Sequence, residues 1–456
     1  MNTIVEAKES VANLWGKQAI KEQARYRLLK YLLQINEDGQ VLLYNVVTGK
    51  FVVLSKDEAD IIKELPSVYN PKMEALVTEH FLVPEDYDEY KSVKQLRAIF
   101  QRRSSDDVVN HYIILPTTFC NARCFYCYES DYPRVHMTEE TANRLIDFID
   151  EHHGDKRVRL SWFGGEPLVG MARIDQITQG LRNREIPYTS SMISNGYLFD
   201  EKIVKKSVSL WNLKRIQITL DGREETYNRV KDYINPIDNP YHRVLKNIDL
   251  LSEAGVEVSI RLNADLYNEE DIRLLIEELG TKYSNSKYKN VSVYLNILFN
   301  DQGYEPVHHT IEDIVKLSKI NDEHVSRLVD LNIGHYNISL PSLKCDQCMA
   351  DNSHALMIQP DGSFTRCEHE SIKDSYGSLD KGIWDYQKVL DWKEIIERSE
   401  NCPECCVYPD CYLLKGCMNA NYPCIDSFRL RTIRLFEDLL RTVFINNRKE
   451  RKNEDI

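Results

Sequence analysis

The middle of the chain alternates short apolar runs with longer segments in which apolar residues recur at helical spacing. Because parallel strands need crossover connections, strands that alternate with helices predict a parallel sheet. We expect an α/β fold whose six βα units curl into a partial (β/α)6 barrel, with its active site at the carboxyl ends of the strands. The six runs are HYIILP (111–116), RVRLSWF (157–163), YTSSMIS (188–194), RIQITL (215–220), VEVSIRL (256–262) and VSVYLNI (291–297).

The first 108 residues follow a different pattern. After a charged start that we expect to be helical, the runs YRLLKYLLQI, VLLYNVV and FVVLS are separated by Asp38-Gly39 and Thr48-Gly49. Such dipeptides between apolar runs indicate hairpin turns. Two helical stretches follow, and Ser55 is expected to cap the first of them. A β-meander followed by helices predicts a small winged-helix-like module, which ends in a polar linker at 101–107.

The last third of the chain differs again. Residues 301–340 predict a bridging helical segment, and residues 341–456 hold nine cysteines among few long periodic runs. Short, loop-rich folds of this kind are typically stabilised by metal. The chain ends in FRLRTIRLFEDLLRTVFINNRKERK, whose apolar spacing predicts a helix packed on the protein rather than one lying on a membrane.

Charge and targeting signals limit the partners and the location. The formal net charge is −13, which argues against a nucleic-acid role and is compatible with a basic peptide partner. No run approaches 18 apolar residues, and the N-terminus lacks the basic start and apolar run of a signal peptide. We therefore expect a cytoplasmic protein with no membrane segment, where clustered cysteines indicate metal sites rather than disulfides.

Three of the twelve cysteines directly follow the first barrel strand. Cys120, Cys124 and Cys127 are separated by three and then two residues. Three thiolates can hold three irons of a four-iron cluster and leave the fourth iron open, as a catalytic centre requires. The amine and carboxylate of S-adenosylmethionine (SAM) can fill that position. The alternative is zinc, which needs a fourth ligand, and the nearest downstream histidine is His136.

The string Cys-Asn-Ala-Arg-Cys-Phe-Tyr-Cys resembles the signature of the radical SAM superfamily. That resemblance implies a TIM-like partial barrel, a [4Fe-4S] cluster and SAM, with Tyr126 near the adenine. It assigns Glu166 to the SAM amino group, Thr219 and Asp221 to the ribose, and Arg261 to the carboxylate. The matching positions after successive strands are Tyr126, Gly164, Gly165, Glu166, Pro167, Ser194, Asn195, Thr219, Asp221, Arg261 and Asn263.

The second cysteine group resembles the SPASM extension of radical SAM enzymes that modify peptides. The resemblance implies two auxiliary [4Fe-4S] clusters, one on Cys345, Cys348, Cys367 and Cys417, the other on Cys402, Cys405, Cys411 and Cys424. Two features depart from the family pattern: five residues instead of three separate Cys411 from Cys417, and Cys406 is additional. Cys406 is either a buried free thiol or a substitute ligand, and zinc remains an alternative metal.

The meander-then-helices order of residues 1–108 resembles the leader-recognition domain of peptide maturases. Together with the two resemblances above, it implies four domains: leader-peptide recognition at 1–108, the radical SAM core at 109–300, the bridging segment at 301–340 and the SPASM domain at 341–456. We expect a maturase that joins a cysteine sulfur to a carbon of a ribosomally made precursor peptide, using electrons from a flavodoxin or ferredoxin. One alternative is an anaerobic sulfatase-maturating enzyme, in which Glu368 would act as a base. The other is an iron–sulfur redox or binding protein that makes no radical.

Overall fold

The computed structural model describes residues 2–7, 9–103, 108–298, 311–335, 339–343, 348–392, 394–414, 424 and 426–454. The chain divides into two compact units. The terminal unit comprises residues 1–105, 337–347 and 392–456. The barrel unit comprises residues 106–336 and 348–391.

The N-terminal part of the terminal unit holds two antiparallel sheets and four helices. One sheet has the order β1-β5-β4-β3 and the other the order β6-β2-β7. The strands are β1 Asn2–Val5, β2 Arg25–Leu28, β3 Leu32–Glu37, β4 Gln40–Asn45, β5 Phe51–Val53, β6 Ser67–Val68 and β7 Leu82–Pro84. The helices are α1 Glu9–Trp15, α2 Lys56–Lys63, α3 Glu74–Thr78 and α4 Glu89–Arg103.

Local signals in this part are largely confirmed. Asp38 and Gly39 both have positive φ, 51° and 74°, as a tight hairpin between β3 and β4 requires. Ser55 caps α2 in a capping box with Glu58. The meander β3-β4-β5 is followed by α2 and α3, while the winged-helix assignment itself stays a prediction.

Two expectations for this part are wrong. The start of the chain forms strand β1, which pairs with β5, before a helix begins at Glu9. The run YRLLKYLLQI is two strands rather than one, because β2 pairs with β7 while β3 pairs with β4. Buried Tyr31 lies between them, so the same apolar run serves two sheets.

The barrel unit contains the six predicted parallel strands. They pair in chain order, and each neighbouring pair is parallel. The strands are β8 His111–Ile114, β9 Val158–Trp162, β10 Tyr188–Ser194, β11 Leu213–Leu220, β12 Glu257–Ala264 and β13 Val291–Ile297. The connecting and following helices are α5 Glu139–His152, α6 Met171–Asn183, α7 Glu201–Ser209, α8 Glu224–Lys231, α9 Pro240–Glu253, α10 Glu269–Tyr283 and α11 Ile311–Asp330.

The two faces of this sheet differ in chemistry. One face contributes Leu160, Trp162 and Ile218 to a large apolar core shared with the helices. The other face carries polar side chains such as Ser161 and Ser191, which alternate along the strands with the core residues. The helices therefore cover one face and leave the polar face available for chemistry.

The barrel sheet extends beyond the predicted strands. The added strands are β14 Ala355–Ile358, β15 Ser363–Thr365, β16 Gly377–Ser378 and β17 Gly382–Ile383. Helix α12 Tyr386–Asp391 follows them. β14 pairs in parallel with β8, and β15 to β17 follow it as antiparallel neighbours, so the sheet is mixed. This pairing places residues 348–391 in the barrel unit, so the compact units do not follow the border we expected at 341.

The chain ends in helix α13 Asp426–Glu454. Leu440 and Phe444 on this helix are buried against Leu33, Leu42 and Tyr44 of the terminal unit's sheet. The predicted packed terminal helix is therefore confirmed. Among the residues described, no helix is long and apolar enough to cross a membrane.

Candidate functional site

The three N-terminal cysteines lie in one loop, which we call the cluster loop (residues 117–130). It begins three residues after β8 and is closed by a bridge between Thr117 and His136. The Thr118 backbone amide donates to the Val135 carbonyl at 3.0 Å. The loop thus stands at the carboxyl end of a central barrel strand, where the sequence predicted the active site.

The sulfurs of the cluster loop influence one another. The charges of Cys124 and Cys127 both act on Cys120. Burial raises the pKa of Cys120 to about 12 and that of Cys127 to about 11, and it also raises the pKa of Cys124. Without a metal these thiols hold their protons, whereas a metal that binds them replaces the protons with its own charge. Three half-buried thiols on one loop suit an iron–sulfur cluster as donors.

The turn after β9 is built around the cluster loop. A Cβ on Gly164 would lie 2.4 Å from the Thr117 carbonyl oxygen, and one on Gly165 would lie 2.5 Å from that of Phe119. The Glu166 amide donates to the same Phe119 carbonyl at 2.9 Å. The glycines of the predicted SAM motif therefore allow its backbone to lie directly against the cluster loop.

Glu166 joins the ends of β9 and β10. Its side chain is fully buried and accepts from the Leu168 amide at 3.1 Å, the Ser194 hydroxyl at 2.9 Å and the Asn195 amide at 2.8 Å. Pro167 begins the short 3-10 helix that follows. Burial raises the pKa of Glu166. The predicted residues 166, 194 and 195 are therefore brought together.

Asn195 extends this contact to the cysteines. The side-chain nitrogen of Asn195 donates to the side-chain oxygen of Asn121 at 2.7 Å and lies 4.0 Å from the Cys120 sulfur. The end of β10 therefore touches the segment between the first two cysteines.

A buried network joins the cluster loop to β11 and β12. Lys231, at the end of α8, donates to the Tyr126 hydroxyl at 3.0 Å and pairs with the Asp221 carboxylate at 2.9 Å. Asn263 donates to Asp221 at 2.9 Å, and Arg261 donates to Asn263 at 3.0 Å. Four predicted SAM contacts thus meet in one network, together with Lys231, which the sequence analysis missed. Nothing in the string around Lys231 signals a buried lysine.

Thr219 lies on the same edge of the sheet. It is the register partner of Arg261 across β11 and β12. The predicted SAM residues therefore occupy the carboxyl ends of β8 to β12, and their individual roles toward SAM stay predictions.

The polar face of the sheet lines a cavity of about 290 Å³. His111 and Ser161 hydrogen-bond at 3.0 Å, Ser161 and Ser191 at 3.0 Å, and burial lowers the pKa of His111 to about 4. Glu368, the predicted base, also lines this cavity. A larger surface groove of about 570 Å³ lies between α7 and α9 and contains no predicted site residue.

The segment after β15 packs against the cluster loop. The rings of Tyr128 and His369 contact each other in a tilted arrangement, with their centroids 4.2 Å apart. Cys367 is buried, and its charge acts on Tyr132. Glu370 accepts from the Arg366 backbone amide at 2.8 Å, which fixes the turn that contains Cys367. One cysteine of the second group is therefore a neighbour of the first group.

Four other cysteines of the second group gather in the terminal unit. The charges of Cys402, Cys405 and Cys424 all act on Cys411, whose pKa burial raises to about 11. Burial likewise raises the pKa of the neighbouring Cys406 to about 11, with Cys405 as the main charge acting on it.

The other predicted set of auxiliary-cluster ligands is Cys345, Cys348, Cys367 and Cys417, and the structure describes two of these four cysteines. Cys348 is exposed and Cys367 buried, both in the barrel unit, while Cys345 and Cys417 lie outside the described residues. Within the described ranges, no three or more His, Cys, Asp or Glu side chains are placed to hold a single metal ion.

A comparison with known protein families matches part of the barrel unit. Residues 114–279 match the family model of the radical SAM superfamily. The chain contains a radical SAM domain. This radical SAM domain spans the cluster loop and the strands from β9 to β12. The radical SAM family implies a [4Fe-4S] cluster and bound SAM.

Curated relatives cover part of the chain. A GTP 3′,8-cyclase of Clostridium perfringens (strain SM101 / Type A) is 26% identical over 278 residues, covering 57% of this chain and 81% of the relative. The radical SAM cyclopropyl synthase TigE of Paramaledivibacter caminithermalis is 22% identical over 216 residues, covering 42% of this chain and 44% of TigE.

Solved structures share the radical SAM fold over more of the chain. A structure of anSMEcpe with bound AdoMet and Kp18Cys peptide is similar at a TM-score of 0.56 and 15% identity, covering 74% of this chain and 99% of that one. Streptococcus suis SuiB bound to precursor peptide SuiA is similar at 0.53 and 13%, covering 88% and 99%. The radical SAM domain and a Cys-rich C-terminal region are thus parts of a known architecture.

Proposed function

We propose that this radical SAM protein is a peptide maturase that forms a thioether, or a related crosslink, in a ribosomally made precursor peptide. The observation that carries the proposal is the cluster loop, which holds three half-buried cysteines at the carboxyl end of β8. A cavity on the polar face of the same sheet offers room for a substrate. The fold shared with peptide-bound SuiB over 88% of the chain supports a peptide substrate.

Cys120, Cys124 and Cys127 would hold the cluster, and the ends of β9 to β12 would receive SAM. When bound, the cluster and SAM supply a 5′-deoxyadenosyl radical that takes a hydrogen atom from a carbon of the peptide. That carbon would bond to a cysteine sulfur of the peptide, with loss of the thiol proton to a base and of one electron. An auxiliary cluster, if Cys402, Cys405, Cys411 and Cys424 held one, would supply the electron acceptor. The first electron comes from a reductant such as a flavodoxin or ferredoxin.

This chain's residues position the reacting groups. The network of Tyr126, Lys231 and Asp221 fixes the cluster loop against β11. Glu368 lines the cavity, where a carboxylate can accept the thiol proton. The side chains of His111, Ser161 and Ser191 form a polar wall that can hydrogen-bond a peptide backbone. The terminal unit, in which β3 is an edge strand of the four-stranded sheet, is proposed to bind the leader peptide as an added strand.

A second candidate is oxidation of a substrate cysteine or serine to formylglycine. The position of Glu368 on the cavity wall favours it, because that reaction also needs a base beside the substrate. The two products differ in composition. A thioether loses two hydrogens and keeps its sulfur, whereas formylglycine made from cysteine loses the sulfur.

The test uses the anaerobically reconstituted full chain with SAM, dithionite and a short Cys-containing peptide as the trial substrate. We expect 5′-deoxyadenosine and a peptide product that retains sulfur, seen by mass spectrometry. Cys367→Ala is expected to spare SAM cleavage and lose the peptide product. A product without sulfur would favour formylglycine, and a reduced cluster that makes no 5′-deoxyadenosine would leave only an iron–sulfur redox or binding protein.

A further inference from the structure

A lysine is buried next to the cluster loop. The side chain of Lys231 is 4% exposed and that of its partner Asp221 is 1% exposed. The ammonium lies 2.9 Å from the carboxylate of Asp221 and 3.0 Å from the hydroxyl of Tyr126. Burying a charge is costly unless it is paired and hydrogen-bonded. Both requirements are met here, so the cation is a fixed part of the site.

The backbone around Lys231 holds the same loop. The Arg123 amide donates to the Lys231 carbonyl at 2.9 Å, and the Ile234 amide donates to the Asn121 carbonyl at 2.8 Å. Asp232, between these contacts, adopts a left-handed conformation with φ 43°. The segment 231–234 therefore contacts the cluster loop on both sides of the second cysteine, through its backbone as well as its side chain.

The charge of Lys231 acts on the second cysteine of the cluster loop. Burial alone would favour the neutral amine, but Asp221 and the neighbouring groups hold the pKa of Lys231 well above its ordinary value. On Cys124 the charge of Lys231 acts more strongly than the opposite charge of Asp221. The ammonium also lies 5.7 Å from the ring centre of Tyr126. Through its contact with Tyr126, the ammonium therefore lies beside the loop segment that carries the second cysteine.

We propose that Lys231 is a positioning residue that fixes Tyr126 and raises the reduction potential of the cluster held by Cys120, Cys124 and Cys127. This inference rests on the proposed function. Reduction adds one electron to the cluster, and a cation in a low-dielectric site stabilises that added negative charge. The lysine stays protonated in both states, so the step moves one electron from the reductant and no proton.

The test is a potentiometric titration followed by EPR, carried out on the reconstituted full chain. The signal that changes when SAM is added identifies this cluster among any auxiliary ones, and its midpoint is then measured without SAM. In Lys231→Met we expect the reduction equilibrium constant to fall at least tenfold, about 59 mV for one electron. Lys231→Arg should restore most of the loss because it keeps the charge.

A matched control is Lys206, which is half-buried and pairs with Asp175 at 2.9 Å on the helical side of the same unit. Lys206→Met should leave the potential unchanged. If Lys231→Met holds the cluster and keeps the wild-type potential, the proposal is overturned. If Lys231→Met cannot be loaded with iron and sulfide, Asp221→Asn provides the test. Loss of the carboxylate should increase the reduction equilibrium constant at least several-fold. An unchanged constant overturns the proposal. A wild-type chain without a SAM-sensitive signal would overturn the proposed function itself.

Discussion

The two cysteine-rich regions of this protein are held in opposite ways. The cluster loop is fixed by regular elements. It continues from β8, and the turns after β9 and β10 and the end of α8 hydrogen-bond to it. The cysteines of the terminal unit instead lie among short 3-10 turns at residues 402–404, 408–410 and 412–414. The scaffold sets the first arrangement, whereas the second, over the residues that the structure describes, has little regular structure of its own.

The terminal cysteines do contact a core. Cys402, Cys405 and Cys411 pack against an apolar cluster that includes Tyr31 and Tyr408. The Tyr31 hydroxyl donates to the Pro403 carbonyl at 3.2 Å. These contacts come from the N-terminal part of the chain, so the region predicted to recognise a leader and the Cys-rich turns share one unit. We therefore expect loss of the metal to abolish SAM cleavage in the barrel unit and to lower the folding stability of the terminal unit.

The largest expected effect is on activity. Cys120→Ala should reduce 5′-deoxyadenosine formation to background, because the cluster loses one of three ligands. Its far-UV circular dichroism and thermal midpoint should stay close to those of the wild type, since hydrogen bonds from the ends of β9, β10 and α8 hold the loop. Unfolding of this variant would contradict the view that the scaffold, not the metal, fixes the cluster loop.

The next effect is on stability in the other region. Cys405→Ala should destabilise the terminal unit by roughly 5 kcal/mol or more, because binding free energy at a metal site is also folding free energy. Chemical denaturation of the reconstituted protein measures this. The adjacent Cys406→Ala is the matched control and should cost only about 1 kcal/mol. Equal effects of the two variants would show that the ligand set of that cluster is different.

A smaller effect is expected at the turn beside the cluster loop. Gly165→Ala places a methyl group 2.5 Å from the Phe119 carbonyl, so the two backbones must separate, at a cost of about 3 kcal/mol or more. Gly255→Ala is the control, because Gly255 has φ 82° and open space around it and should cost only about 1 kcal/mol. Similar iron content and unfolding midpoints in the two variants would argue against close packing at this turn.

The smallest effect concerns pH and the terminal unit. His80 is buried and stacks on Trp15 at 4.1 Å, and burial lowers its pKa from 6.5 to about 4. The unfolded chain therefore takes up a proton at higher pH than the folded one, so stability falls as the pH drops from 6.5 toward 4. We expect a loss of about 2 kcal/mol between pH 7 and pH 5. His80→Asn should flatten that slope, and an unchanged slope would assign it to other groups.

The sequence predicted the barrel well because its signals are local. Six apolar runs became β8 to β13 with bounds within a few residues of those expected, since the strands repeat one βα pattern. The short run Ala355–Ile358 was missed. It lies among cysteines and turns, and only its pairing with β8, far away in the chain, makes it a strand of the barrel sheet.

The sequence also predicted which residues of the candidate site lie close together. Motif residues at the ends of successive strands do meet, because parallel strands align their carboxyl ends at one edge. Lys231 could not be found in this way, because its burial depends on the position of α8 relative to the cluster loop. The predicted cluster ligands Cys345 and Cys417 lie outside the described residues, so that ligand set stays a prediction.

The central claim is that the cluster loop is the place where a radical is generated from SAM. The direct measurement is 5′-deoxyadenosine, quantified by liquid chromatography and mass spectrometry, from the anaerobically reconstituted wild-type chain with SAM and dithionite. The account predicts that 5′-deoxyadenosine accumulates with the wild type and not with Cys120→Ala. Its absence from wild-type protein with a full, reducible iron–sulfur content would contradict the account.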